Sequence, residues 1–250
     1  MNNVYLYDGS FNNLMILIFM LIKNNKEPFD IKSINNYEPN LIDKYKYLKF
    51  NNITEKLKYV YKTLDSIVLI RIYYTYLSDN KNKEMIIYNF IKNALIYKNI
   101  FFRRNIESVN DVLKISQYVS RENHKMKGFL RFKKMKSFYY AKMSPTNNIL
   151  PLIVNHFKRR MQNECWIIYD EKRKIYGVYD LKNVVFYNEN QIINLNLDID
   201  DSNELFEELW KTFFETIAIK QRLNKKAQMN FMPKKYWNNM IEMEDKIWNK

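Results

Sequence analysis

Three glycines and five prolines are all that this chain of 250 residues has for breaking its backbone. Glycine supplies positive φ and close backbone approach, so folds built on repeated glycine turns are out of reach. No GxGxxG and no P-loop pattern occurs, which removes the glycine-cradled nucleotide loops. Collagen-like and proline-rich architectures go with them. Hydrophobic residues at 47% and aromatics at 16% leave ample apolar surface for a packed core, so the chain is not a disordered one. Its length suits one large domain or two small ones.

The elements can be read from apolar spacing. Residues 3–8 (NVYLYD) predict a short strand, and Ser10 predicts the cap of a helix running through Ile22. The apolar run Leu14–Ile22 within it is too short for a bilayer of about 20 apolar residues. Asp8, and no Lys or Arg, precedes it, unlike a signal peptide. Residues 26–60 read as polar and irregular. From Asn52 to Lys98 the apolar positions recur at helical spacing, and Asp111–Val119 predicts one more helix. Near His124 the pattern changes. Gly128–Phe132 and Phe138–Met143 are aromatic and strand-like. A helix is predicted over 148–161, followed by the hairpin Trp166–Tyr169 and Ile175–Tyr179. The expected fold class is α+β: a helical N-terminal half, an antiparallel sheet of two hairpins around a helix over 124–180, and C-terminal helices. Among these the clearest is Asp201–Arg222, with its apolar stripe from Leu205 to Ile217. One module over 1–250 is expected, with 1–120 mainly helical and 121–250 α+β.

The formal net charge is +14. Two stretches carry much of it. Arg121–Lys142 holds eight basic residues and a single acid, Glu122; Lys220–Lys250 holds eight basic residues and three acids. One reading is a phosphate-tracking surface, with Tyr139, Tyr140, Tyr236 and Trp237 available to stack on bases. The other is lysine decorating solvated faces in a chain rich in Asn, Lys, Ile and Tyr. With one cysteine, Cys165, and two histidines, His124 and His156, the chain has no internal disulfide. It also lacks the ligands for a structural zinc or a cysteine-held iron–sulfur cluster. A cytoplasmic setting fits, and no cofactor, metal or membrane attachment is implied.

Candidate chemistry rests on few side chains. His124, expected just before a strand, offers a general acid or base, a phosphate contact or a structural hydrogen bond. His156 sits at a helix end beside Lys158, Arg159 and Arg160. Asp170 closes a strand, where an acid either caps the turn or serves a reaction. Arg222, Asn224 and Gln228 follow the apolar helix and offer planar, multi-donor recognition of phosphate or base edges, or else cap and tie down the last helix.

Several of these segments resemble one family. The run Leu209–Asn224 with Gln228, then Met232–Trp237 and Glu242, looks like the C-terminal signature of a family of DNA metabolism or repair proteins of unknown biochemical activity. His124–Phe132, Pro145–Phe157 with Arg159 and Arg160, Trp166–Asp170 with Arg173 and Gly177, and Tyr7–Phe11 match its other blocks. The chain departs at Asn147, where many relatives carry His. The resemblance implies a DNA-related role beside a radical-SAM protein encoded nearby; related domains are fused to a uracil-DNA-glycosylase-like domain. Any radical chemistry then belongs to the partner. The expected function is a DNA-repair-associated accessory or nucleic-acid-binding protein. The alternatives are an enzyme acting on a damaged nucleotide in its own cleft, with His124 and Asp170 as candidates, and a scaffold whose charge is compositional. For DNA or partner contact the candidates are Arg131, Arg159, Arg160, Arg222, Asn224, Gln228, Lys234, Lys235, Tyr236 and Trp237.

Overall fold

The computed structural model describes residues 2–39, 42–50, 53–135, 137–192 and 224–240. The helix expected over 201–222, and Arg222 with it, lies outside the described residues. The fold is α+β, with a parallel three-stranded sheet and a mixed five-stranded one. The chain divides into two compact units, 1–120 and 121–250.

In the first unit, strand β1 (Asn2–Tyr7) leads into helix α1 (Phe11–Lys23). Ser10 caps α1, its hydroxyl accepting from the Asn13 amide at 3.3 Å. Gly9 makes the turn at φ +88°, where a Cβ would come within 2.9 Å of the Ser33 hydroxyl. Leu14, Leu17, Ile18 and Leu21 of α1 are buried. They pack in one core with residues of α3 (Ser66–Tyr76) and α4 (Lys83–Ile96), such as Ile72, Ile87, Phe90 and Ile91. The stretch read as irregular holds two more strands, β2 (Asp30–Ser33) and β3 (Asp43–Tyr47), and the start of α2 (Ile53–Thr63). Both strands run parallel to β1, in the order β2-β1-β3. In β3 (DKYKY) lysines alternate with tyrosines and nearly all are exposed, so no buried apolar face announces it.

Helix α5 runs from Glu107 to Phe129, well beyond the predicted 111–119. His124 therefore lies within a helix, and Gly128–Phe129 end that helix instead of starting a strand. The buried positions Val119, Glu122, Asn123, Met126 and Leu130 recur at helical spacing. Two of them are polar, which hides the stripe from an apolar pattern.

The second unit holds the sheet β4 (Lys133–Lys134), β5 (Tyr139–Met143), β6 (Trp166–Asp170), β7 (Ile175–Tyr179) and β8 (Val184–Asn188), paired in that order. The predicted hairpin Trp166–Tyr179 exists; of the other, only Phe138–Met143 forms a strand, as β5, and its partner is the two-residue β4 and not Gly128–Phe132, with α6 (Leu150–Arg160) between β5 and β6. The sheet is not wholly antiparallel, however: β5 and β6 pair parallel, Ala141 opposite Ile168. A parallel pair needs a crossover of a dozen or more residues, and the loop–helix segment between Met143 and Trp166 supplies one. Leu150, Ile153, Val154 and Phe157 of α6 are buried, with Trp166 and Ile168 fully buried in the sheet.

Gly177 is where α6 comes closest to the sheet. A Cβ there would lie 2.7 Å from Val154 Cγ1 and 3.5 Å from Leu150 Cδ1. Val154 is β-branched and stiff in a helix. Gly177→Ala is therefore expected to cost about 1–3 kcal/mol, seen as a lowered melting temperature. Adding Val154→Ala should recover part of that loss. An unshifted melting temperature in the single variant contradicts the close approach.

Candidate functional site

The single acid of the basic run 121–142 is buried and held by five hydrogen bonds. Glu122 points inward from α5, its side chain 3% exposed. Its Oε1 accepts from the Thr146 amide at 2.9 Å, the Tyr236 hydroxyl at 2.6 Å and Lys235 Nζ at 3.2 Å. Oε2 accepts from the Asn147 amide at 2.8 Å and from Asn147 Nδ2 at 2.6 Å. Burial pushes the Glu122 carboxyl up. Those donors outweigh it and hold the group down at about 2.

A second buried carboxylate grips the same loop from the other side. Asp170 ends β6 with no exposed surface. It accepts from the Lys172 and Arg173 amides at 3.1 and 3.3 Å and from Arg173 Nη1 at 3.1 Å. Arg173 goes on to donate to the carbonyls of Pro145 and Thr146, at 3.3 and 2.5 Å. Burial raises the Asp170 carboxyl above its ordinary value, opposed by Arg173 and the two amides. Pro145–Asn147, the entry to α6, is thus held by Glu122 through its amides and by Arg173 through its carbonyls.

These bonds occupy several of the predicted site residues. Tyr236 is 4% exposed, with its hydroxyl on Glu122. Lys235 bridges Glu122 and the Thr146 hydroxyl, the latter at 2.7 Å. Trp237 donates its indole N–H to the Met232 carbonyl at 2.9 Å, and Lys234 lies 5.7 Å over the Trp237 ring. Asn224 caps the short helix Lys225–Phe231, its Oδ1 accepting from the Ala227 amide at 2.9 Å; Gln228 follows in that helix. Arg131 folds back onto the end of α5 and donates to the Gly128 carbonyl at 2.8 Å. Glu122, Thr146 and Asn147 were not singled out as site residues. The one available signal was a lone acid among eight basic residues.

Arg159 and Arg160 have a different setting. Both are exposed on the last turn of α6. With Lys127 of α5 and with Leu152, Asn155 and His156 of α6 they line an open cleft of about 370 Å³. Among the described residues, no carboxylate lines it. His156 is pushed below its ordinary value, first by burial and then by the positive charges of Lys127, Arg160 and Arg159. His124 is exposed one helical turn from Lys127 on α5. Among the described residues, no group of three or more His, Cys, Asp or Glu side chains is placed to hold a metal ion. No described helix is long and apolar enough to cross a membrane.

A family model for a domain of unknown function, DUF4130, matches residues 81–242, more than half of the chain. No curated protein and no solved structure matches the chain.

Glu122 sets an acid-stability expectation. Its folded value near 2 lies below the ordinary 4.5. The stabilisation is complete above about pH 4.5 and is lost as pH falls toward 2. The gap corresponds to on the order of 3 kcal/mol. Glu122→Gln should cost roughly that much at pH 7 in denaturant unfolding. The difference from the unaltered protein should shrink below about pH 3. A difference that stays constant across this range shows that the charge is not its source.

Proposed function

This chain belongs to the DUF4130 family, and from that premise we propose that it is a nucleic-acid-binding protein whose α5/α6 cleft takes backbone phosphates. One observation carries this reading: Lys127, His156, Arg159 and Arg160 meet in an open cleft with no acid among its described lining residues, and burial together with the positive charges depresses the histidine. Arginine offers a rigid fork of donors for phosphate oxygens, and Asn155 adds an amide to the same wall. The cations sit on the last turn of a helix, where the backbone dipole favours positive side chains.

In this reading the protein is an accessory factor in DNA repair, bringing DNA to a radical-SAM enzyme encoded nearby. Support for that setting comes from the resemblance in Tyr7–Phe11, His124–Phe132 and Met232–Trp237. The alternative, a damaged nucleotide processed in the chain's own cleft, has less support. Its candidate acid, Asp170, is closed off by Arg173 and two backbone amides, and its candidate base, His124, is exposed on a helix.

Duplex DNA is expected to bind in the micromolar range or tighter at low salt and to weaken steeply as salt rises, because bound phosphates release counterions. Arg159→Ala with Arg160→Ala should lower affinity about tenfold or more. It should also reduce the slope of log affinity against log salt by about one per lost phosphate contact. A phosphate in the cleft neutralises the field on His156, so its NMR-detected pKa should rise on binding. Affinity should correspondingly increase as pH falls through that value. Binding that is insensitive to salt, or unchanged in the double variant, refutes the reading.

A further inference from the structure

Two of the three glycines are required by the fold itself. Gly9 turns the chain at φ +88°, and Gly177 admits α6 to the sheet. Gly128 answers to neither need. Its φ is not positive, and among the described residues a Cβ there would meet nothing within 4 Å. It is exposed and lies inside the hydrogen-bonded last turn of α5, where the Leu130 amide donates to the Met126 carbonyl at 3.0 Å. In such a turn glycine is less favourable than alanine, because it gives up more backbone freedom on folding. The chain thus carries a bare stretch of helix surface that its own packing does not use.

The surroundings of that bare stretch are cationic. Lys127, the next residue back, lines the α5/α6 cleft with Arg159 and Arg160. His124 is exposed four residues before Gly128, on the same helix face. On the other side Arg131 reaches back, its Nη1 donating to the Gly128 carbonyl at 2.8 Å and to the Leu130 carbonyl at 3.4 Å. That guanidinium covers carbonyls at the negative end of the α5 dipole, which would otherwise repel an anion.

We propose that Gly128 is the point of closest approach for the sugar–phosphate backbone of a bound nucleic acid, which runs from the cleft over Gly128 toward Arg131. Charge-assisted bonds to phosphate need donor and oxygen within about 3 Å, so a bulky strand must lie close to the helix before the cleft cations can reach it. A side chain at 128 would hold the strand off. The proposal rests on the cleft reading above and adds to it a path and an uncharged contact.

The test pairs thermal melting with fluorescence anisotropy on a labelled DNA duplex at low salt. Gly128→Ala should melt at the same temperature or higher, since the helix gains and nothing clashes, yet bind more weakly. Gly128→Leu should bind roughly tenfold more weakly or worse, the size of a steric misfit in a packed contact. Neither variant alters the charge, so such a loss is one of approach and not of attraction. Unchanged affinity in the folded leucine variant overturns the contact at Gly128 and leaves the cleft reading standing. Early melting of the alanine variant also overturns it, by showing that the fold itself needs the glycine. Failure of the unaltered protein to bind the duplex overturns both readings.

Discussion

An ionised carboxylate with 3% exposure is tolerated only if its lost hydration is replaced bond for bond. Glu122 meets that condition with five donors from two segments, the loop ahead of α6 and Lys234–Asn239, and so ties both to its own helix α5. Removing any one donor leaves a buried charge short of partners, which costs more than the bond itself contributes. The arrangement therefore selects one geometry for all three segments at once. It fixes where the C-terminal residues lie as firmly as it fixes the loop. The ring of Tyr236 adds to this by packing 5.7 Å from that of Phe129.

The loop Pro145–Asn147 gains most from this. Its amides answer Glu122 and its carbonyls answer Arg173, which is itself held by Asp170. Both sets of backbone groups are satisfied although they lie beside buried charge. That loop opens the β5–α6–β6 crossover, and Pro151 in the first turn of α6 starts the helix without an amide to satisfy. With its start pinned and Val154 pressed onto Gly177, α6 has little freedom to rotate. Its last turn then presents Arg159 and Arg160 beside Lys127. The basic cleft is an outward consequence of an inward network that contains none of the cleft's own residues.

The second unit thereby separates two kinds of chemistry by one sheet. Guanidinium and ammonium groups collect on the outer side of α6, where they add to the effect of burial in depressing His156. Tyr169 and Tyr176 stack on the side of the strands away from α6.

Much of this was legible along the chain. Ser10 and the run Leu14–Ile22 determine α1, because a side-chain cap and an unbroken apolar stripe are local facts. Three strands of the second unit, β5, β6 and β7, could be located from aromatic and β-branched residues flanking charged turns. The sign of the surface and the shortage of metal ligands followed from counting. What pairs with what was not legible. The parallel junction of β5 and β6 depends on a register between segments separated by a whole helix. Strand β3 alternates lysine with tyrosine but buries neither face, so it carries no signal of a half-buried strand. Helix α5 went unread beyond Val119 because its buried stripe passes through Glu122 and Asn123, and polar residues look solvated until their partners are known. Those partners, Thr146, Asn147, Lys235 and Tyr236, lie up to 114 residues away. The sequence determined that this chain would be basic, aromatic and α+β. Only the tertiary structure decided which cations and rings stay outside, because that choice is made by hydrogen bonds closing over long separations.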